Sequence, residues 1–183
     1  MRADKARNRE IVLAAAGRLF DAANDPDEVS MDAVAAAAGV GKGTLFRGFG
    51  DRLGLVRALY EQRSAQEFAA RPVGDDGDPA ERALELLTRT WRFKERHRVL
   101  GLAFERAGHG SPYTNAGYDW WHAELAGLIA AARADAPAGF LAHALLAAVR
   151  SDLVEHLRGR PDTDVHAGLQ DLVRSVFRDG KQR

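Results

Sequence analysis

The chain has 183 residues, no cysteine, 46% hydrophobic positions and a formal net charge of zero, from 26 basic and 26 acidic side chains. Disulfide and thiolate chemistry are thereby excluded, and neutrality removes any argument for nucleic-acid binding from bulk charge alone. No apolar run reaches the roughly 18 residues of a membrane span, and the charged opening MRADKARNRE leads straight into an amphipathic segment, so a cytoplasmic protein is expected.

Apolar residues recur at helical spacing almost throughout, with six prolines and no useful period-2 run, which predicts an all-α fold. A first helix is expected over Ala6–Ala22, where Ile11, Ala15, Leu19 and Val12, Ala16, Phe20 trace adjoining rows of one face. The polar segment AANDPDE ends it. A second helix is predicted over Met31–Ala38, capped by Ser30 and stopped by Gly39, with Met31, Val34, Ala35 and Ala38 turned inward. A third spans Lys42–Phe49 with Leu45 and Phe49 on one face, and a fourth runs from Asp51 into the sixties through Leu53, Val56, Leu59, Tyr60 and Phe68.

The stretch RPVGDDGDP, Arg71–Pro79, is too polar and turn-rich to pack a core and reads as a linker or loop. Beyond it, helices are expected near Ala80–Glu95, His97–Ala107, Tyr113–Ala134, Ala138–Arg158 and Val165–Arg178.

Two short helices joined by a glycine-containing turn, the second with small, hydroxyl and basic residues on its outer side, describe a helix-turn-helix. In such a module the second helix enters the DNA major groove while the first crosses the backbone. Ala35, Gly39, Val40 and Leu45 would fix the crossing, leaving Lys42, Gly43, Thr44, Phe46 and Arg47 outward. Lys42 and Arg47 can reach phosphates or guanine acceptors, Thr44 can donate to a phosphate, Phe46 can lie on a thymine methyl, and Gly43 permits close backbone approach. Arg52, just inside the fourth helix, is a candidate for a further phosphate, and Arg2, Lys5, Arg7 and Arg9 for general attraction.

Residues 1–63 carry ten basic and nine acidic side chains, so local placement of charge matters more than its sum, and the proposed contact helix holds no acid. Spacing alone leaves an ordinary packing unit open, with Thr44 a plain helix-surface residue and Lys42 a solvated charge.

From Arg9 through Leu59 the chain resembles the DNA-binding region of the TetR family of transcriptional regulators, with IVLAAAGRLF followed by SMDAVAAAAGVGKGTLFRGFGDRLGLVRAL in the expected order and spacing. The resemblance implies a dimeric repressor whose C-terminal helices bind a small effector and pair with a second subunit. It implies that Ser30 caps the second helix and touches a phosphate, that Lys42, Gly43 and Thr44 open the recognition helix with Arg47 on its exposed side, and that Arg52 stands where a phosphate-contacting Lys is common. Three departures bear on affinity or specificity: Phe46 stands where Tyr is common, Gly48 where His is frequent, and Gly41 where a Ser or Thr cap is frequent. The implied organisation is a DNA-binding module over residues 1–50, a connecting helix over 51–70, the linker over 71–79 and an effector-binding and dimerisation domain over 80–183.

All three tryptophans fall after Ala80, which makes that region the place to seek a pocket. Trp91, Phe104, Tyr113, Trp120 and Leu145 are the candidate lining, although each aromatic could equally be core. Adjacent Trp120 and Trp121 cannot share a helix face. The spacing of Glu105, His109 and His122 does not by itself make a metal site, and the basic run from Arg89 to Arg98 reads as a solvated face. The last two long helices carry apolar stripes, and Leu145, Val149, Leu153, Leu169, Leu172 and Val176 are the candidate dimer interface.

The expected function is a sequence-specific regulator that binds double-stranded operator DNA as a homodimer and is released by a small-molecule effector, with no cofactor and no membrane partner. The alternative is a helical small-molecule-binding protein without specific DNA recognition. Catalysis is not expected, since no nucleophile and base set, phosphate loop or metal signature is present.

Overall fold

The computed structural model describes residues 2–69, 77–107 and 116–178, and among these the regular elements are helical. In chain order they are α1 (Arg2–Ala22), a 3-10 turn (Pro26–Glu28), α2 (Met31–Ala38), α3 (Lys42–Phe49), α4 (Arg52–Ala69) and α5 (Pro79–Arg96). Then come α6 (Arg98–Ala107), α7 (Ala116–Ala132), α8 (Ala138–Ala147), α9 (Ser151–His156) and α10 (Asp162–Phe177). Among the described residues no helix is long and apolar enough to cross a membrane. Most of the predicted linker lies outside the described residues.

The chain divides into two compact units, residues 1–68 with 97–111 and residues 69–96 with 112–183. In the first, α1 packs on α2 and on α6, and α2 on α3. Val12, Ala15, Ala16 and Phe20 of α1 are buried as the periodicity predicts, but Ile11 is 42% exposed. The inward face of α1 is centred instead on the row that adds Leu13 and Gly17, so Ile11 lies at its rim. Gly17 allows a close approach, because a Cβ there would sit 2.8 Å from the Arg63 guanidinium. Arg63 donates two hydrogen bonds to the Asp21 carboxylate, each 2.7 Å, and a third to Nδ1 of His97 at 2.8 Å, so α1, α4 and the turn before α6 share one polar node. Beside it the Tyr60 ring stacks on Phe104, with centroids 4.2 Å apart. Burial, with the Glu105 charge adding to it, pushes the Tyr60 hydroxyl far above its ordinary pKa.

In the second unit α5 lies against α7, α9 and α10, and α7 against α8. The buried face of α5 holds Ala83, Leu86, Leu87, Thr90, Trp91 and Lys94 at the spacing of one helical stripe, and Phe93 beside it is buried too. Thr90 satisfies its buried hydroxyl by donating to the Leu86 carbonyl at 2.8 Å. The ammonium of Lys94 sits 5.9 Å from the centroid of the Trp121 ring.

The single helix predicted over Ala138–Arg158 is two helices. Tightened bonds from Ala148 N to Leu145 O and Val149 N to Leu146 O close α8, and Arg150 then turns extended to start α9. Arg150 bonds both oxygens of Asp152, at 3.1 and 3.2 Å, and this contact, first among its causes, holds the Asp152 carboxyl below the usual range. Because apolar spacing continues through the break and neither Gly nor Pro marks it, periodicity could not reveal it.

Candidate nucleic-acid interface

The bounds of α2 and α3 match those read from the sequence, and their termini explain why. The Ser30 hydroxyl accepts a hydrogen bond from Ala33 N at 3.1 Å, and Gly39 closes α2 in the left-handed conformation at φ 65°. Val40 N returns to the Ala35 carbonyl at 3.1 Å, which sets the turn, and α3 then starts from Gly41 without a side-chain cap. Leu45 is fully buried and is the pin that holds α3 in place.

Around that pin Lys42, Gly43, Thr44, Phe46, Arg47 and Gly48 are all exposed, Phe46 to 46%. Lys42 makes a 2.6 Å ion pair with Asp32 of α2, and one guanidinium nitrogen of Arg47 donates to the Thr44 hydroxyl at 3.2 Å. A face of α3 with two cations, a hydroxyl, an aromatic ring and no acid therefore points to solvent.

Arg52 is employed differently from its neighbours. Its side chain is partly buried and donates to the Val29 carbonyl at 3.1 Å and to the Pro26 carbonyl, tying the start of α4 to the loop before α2. The sequence did not single out Gly54, yet a Cβ there would lie 1.9 Å from the Phe49 carbonyl oxygen, so the corner between α3 and α4 accepts only glycine. The Asp51 carboxylate caps the same corner, accepting from Gly54 N at 2.7 Å.

Arg9, read from sequence only as general attraction, lies with its guanidinium 4.9 Å from the centroid of the Phe49 ring. Asn8, Arg9 and Val12 of α1 and Thr44, Arg47, Gly48 and Phe49 of α3 line a groove of about 580 Å³.

The candidate effector residues are not gathered in this way. Phe104 belongs to the first unit, whereas Trp91, Trp120 and Leu145 belong to the second, and Tyr113 and His109 lie outside the described residues. The two adjacent tryptophans divide as expected, but Trp121 is the buried one and Trp120 is 42% exposed. Trp91 lines a crevice of about 40 Å³ with Thr88, Glu95, Asp162, His166 and Leu169, room for little more than water.

Of the candidate dimer residues, Leu145, Val149, Leu169 and Val176 are buried within their own chain, while Leu153 and Leu172 are partly exposed. The chain itself thus covers most of the stripe expected to form a dimer interface. Phe140, which the sequence reading passed over, is 73% exposed on α8.

Residues 12–59 match the family model described as bacterial regulatory proteins, tetR family. A transcriptional regulator from a Rhodococcus species has a similar fold, with a TM-score of 0.74 at 19% identity over 92% of this chain and 95% of that one. A tetR-family regulator from Streptomyces coelicolor gives 0.66 at 24% identity, over 93% and 79% of the two chains. LfrR from Mycobacterium smegmatis, solved in complex with proflavine, gives 0.61 at 20% identity, over 96% and 99%. No curated protein matches the chain. A capped α2, a glycine turn and a solvent-facing basic α3 thus lie inside the segment that matches the tetR-family model, within an all-helical fold similar to those of solved transcriptional regulators.

Proposed function

We propose that this DNA-binding regulator is a homodimeric repressor that a small-molecule effector releases from its operator. The observation that carries the reading is the acid-free outer face of α3, braced from below by Leu45. Lys42, Thr44, Phe46 and Arg47 are its base and phosphate contacts, Gly43 allows close approach, and Ser30 offers a phosphate contact at the start of α2. Arg52 acts chiefly by holding the loop before α2, with its remaining N–H groups available to a phosphate.

A two-fold dimer supplies two such helices about 34 Å apart, one DNA turn, and selects a roughly palindromic site. Phe140, with Ala144 and Ala147 exposed on the same side of α8, is the apolar face that supports pairing, and Leu153 and Leu172 are its partners from the sequence reading. For the effector, the aromatic second unit and the proflavine complex of LfrR support a small organic ligand near Trp91, Trp120, Trp121 and Leu145. The protein acts by binding rather than catalysis, on chromosomal DNA in the cytoplasm.

The test is selection of bound duplexes from a random-sequence pool, followed by titration of the recovered site with and without candidate effectors. Enrichment of a palindrome, with affinity lowered at effector saturation, is the expected result. Enrichment of no sequence would overturn the regulator reading in favour of a helical small-molecule binder, and equal affinities at saturation would overturn release.

A further inference from the structure

The groove between α1 and α3 is lined by polar and cationic side chains. Among the described residues no acidic side chain lines it, and Asn8, Arg9, Thr44 and Arg47 share it with the apolar Val12 and Phe49. The Arg9 guanidinium carbon lies over the Phe49 ring, 4.9 Å from its centroid. A guanidinium attracted to a ring uses its charge there, while its five N–H donors can still serve a bidentate acceptor. Arg47 is steadied by one bond to Thr44, at 3.2 Å, with further donors to spare. Between the two, Gly48 leaves the groove open, since a Cβ there would meet nothing within 4 Å.

We propose that this groove is a phosphate clamp, in which Arg9 of α1 and Arg47 of α3 grip one phosphodiester of the DNA backbone beside the major groove. The clamp rests on the DNA-binding reading and extends it. Arg9 becomes a binding residue outside the helix-turn-helix, Phe49 is its positioning residue, and the missing side chain at position 48 is what admits the backbone. A duplex phosphodiester is the occupant because two guanidiniums and two neutral hydrogen-bonding groups match its charge, and because the groove shares Thr44 and Arg47 with the face that reads bases.

The test measures binding of the full chain to a mixed-sequence duplex across a salt series, because a phosphate contact needs no particular sequence. Arg9→Ala should weaken binding several-fold at moderate salt and lower the slope of log affinity against log salt by about 0.9, one counterion's worth. Phe49→Leu should weaken binding while keeping the slope, since the charge remains but its placement is lost. Gly48→Asp should weaken binding more than Gly48→Ala, and circular dichroism melts confirm that each chain is folded. An Arg9→Ala chain with parental affinity and slope, beside an Arg47→Ala chain that is weakened, would overturn the clamp alone. A parental chain that binds no duplex at any salt would overturn the regulator reading and the clamp with it.

Discussion

A single methyl group separates two kinds of glycine in the DNA-reading module. At position 54 its carbon would fall 1.9 Å from the Phe49 carbonyl oxygen, whereas at position 48 it would meet nothing. Gly54→Ala should therefore destabilise the first unit by about 1–3 kcal/mol or more, through overpacking against rigid backbone. Gly48→Ala should raise stability by up to about 1 kcal/mol through helix propensity, and paired thermal melts distinguish the two. The arginines separate likewise. Arg52→Ala removes bonds to two loop carbonyls and should cost about 1–3 kcal/mol, while Arg47→Ala, exposed on α3, should stay within about 0.5 kcal/mol in the same melts and act on DNA affinity instead. The sequence shows that both are arginines near a recognition helix; only the fold shows that one guanidinium turns toward backbone oxygen and the other toward solvent.

Elements were legible wherever local chemistry ends them. Ser30 and Gly39 are short-range signals, a hydroxyl for a free amide and a residue tolerant of positive φ, and they bounded α2 correctly. The same logic failed between α8 and α9, where α8 closes on tightened bonds and Arg150 turns extended with neither Gly nor Pro to announce the break. It also failed to choose between Trp120 and Trp121, because helical spacing says that adjacent residues diverge without saying which one meets the neighbouring helix. The pairing of α4 with α6 through Tyr60 and Phe104 was equally hidden, since it joins residues far apart in the chain. That pairing has a consequence in alkali. Tyr60 holds its proton more tightly when folded, so the stability it contributes is complete below about pH 10, the ordinary tyrosine value, and is lost as pH rises beyond it. A Tyr60→Phe chain, with nothing to ionise, should keep its helical circular dichroism to higher pH than the parent.

For the molecule as a whole, helical periodicity was enough to announce an all-α chain and the turn at Gly39 a helix-turn-helix, whereas spacing alone did not say which apolar faces the chain covers itself. Leu145 and Val149 look like any interface stripe in sequence, and the chain's own helices bury them. Assembly should accordingly respond to the outer face of α8. Phe140→Asp should shift the protein from dimer to monomer in light scattering and leave the helical signal intact. Leu145→Asp should lower the melting temperature instead, because it places a charge in the protomer core. A Phe140→Asp chain that remains a dimer would locate the interface elsewhere.

The corner at Gly54 also bears on how such a protein could be retargeted. Its geometry is anchored by backbone contact and by Leu45 beneath, and neither depends on what α3 displays outward. Positions 43 and 46 can therefore be randomised as a pair on a fixed platform, so new operator preferences are accessible by small steps without rebuilding the scaffold that carries them.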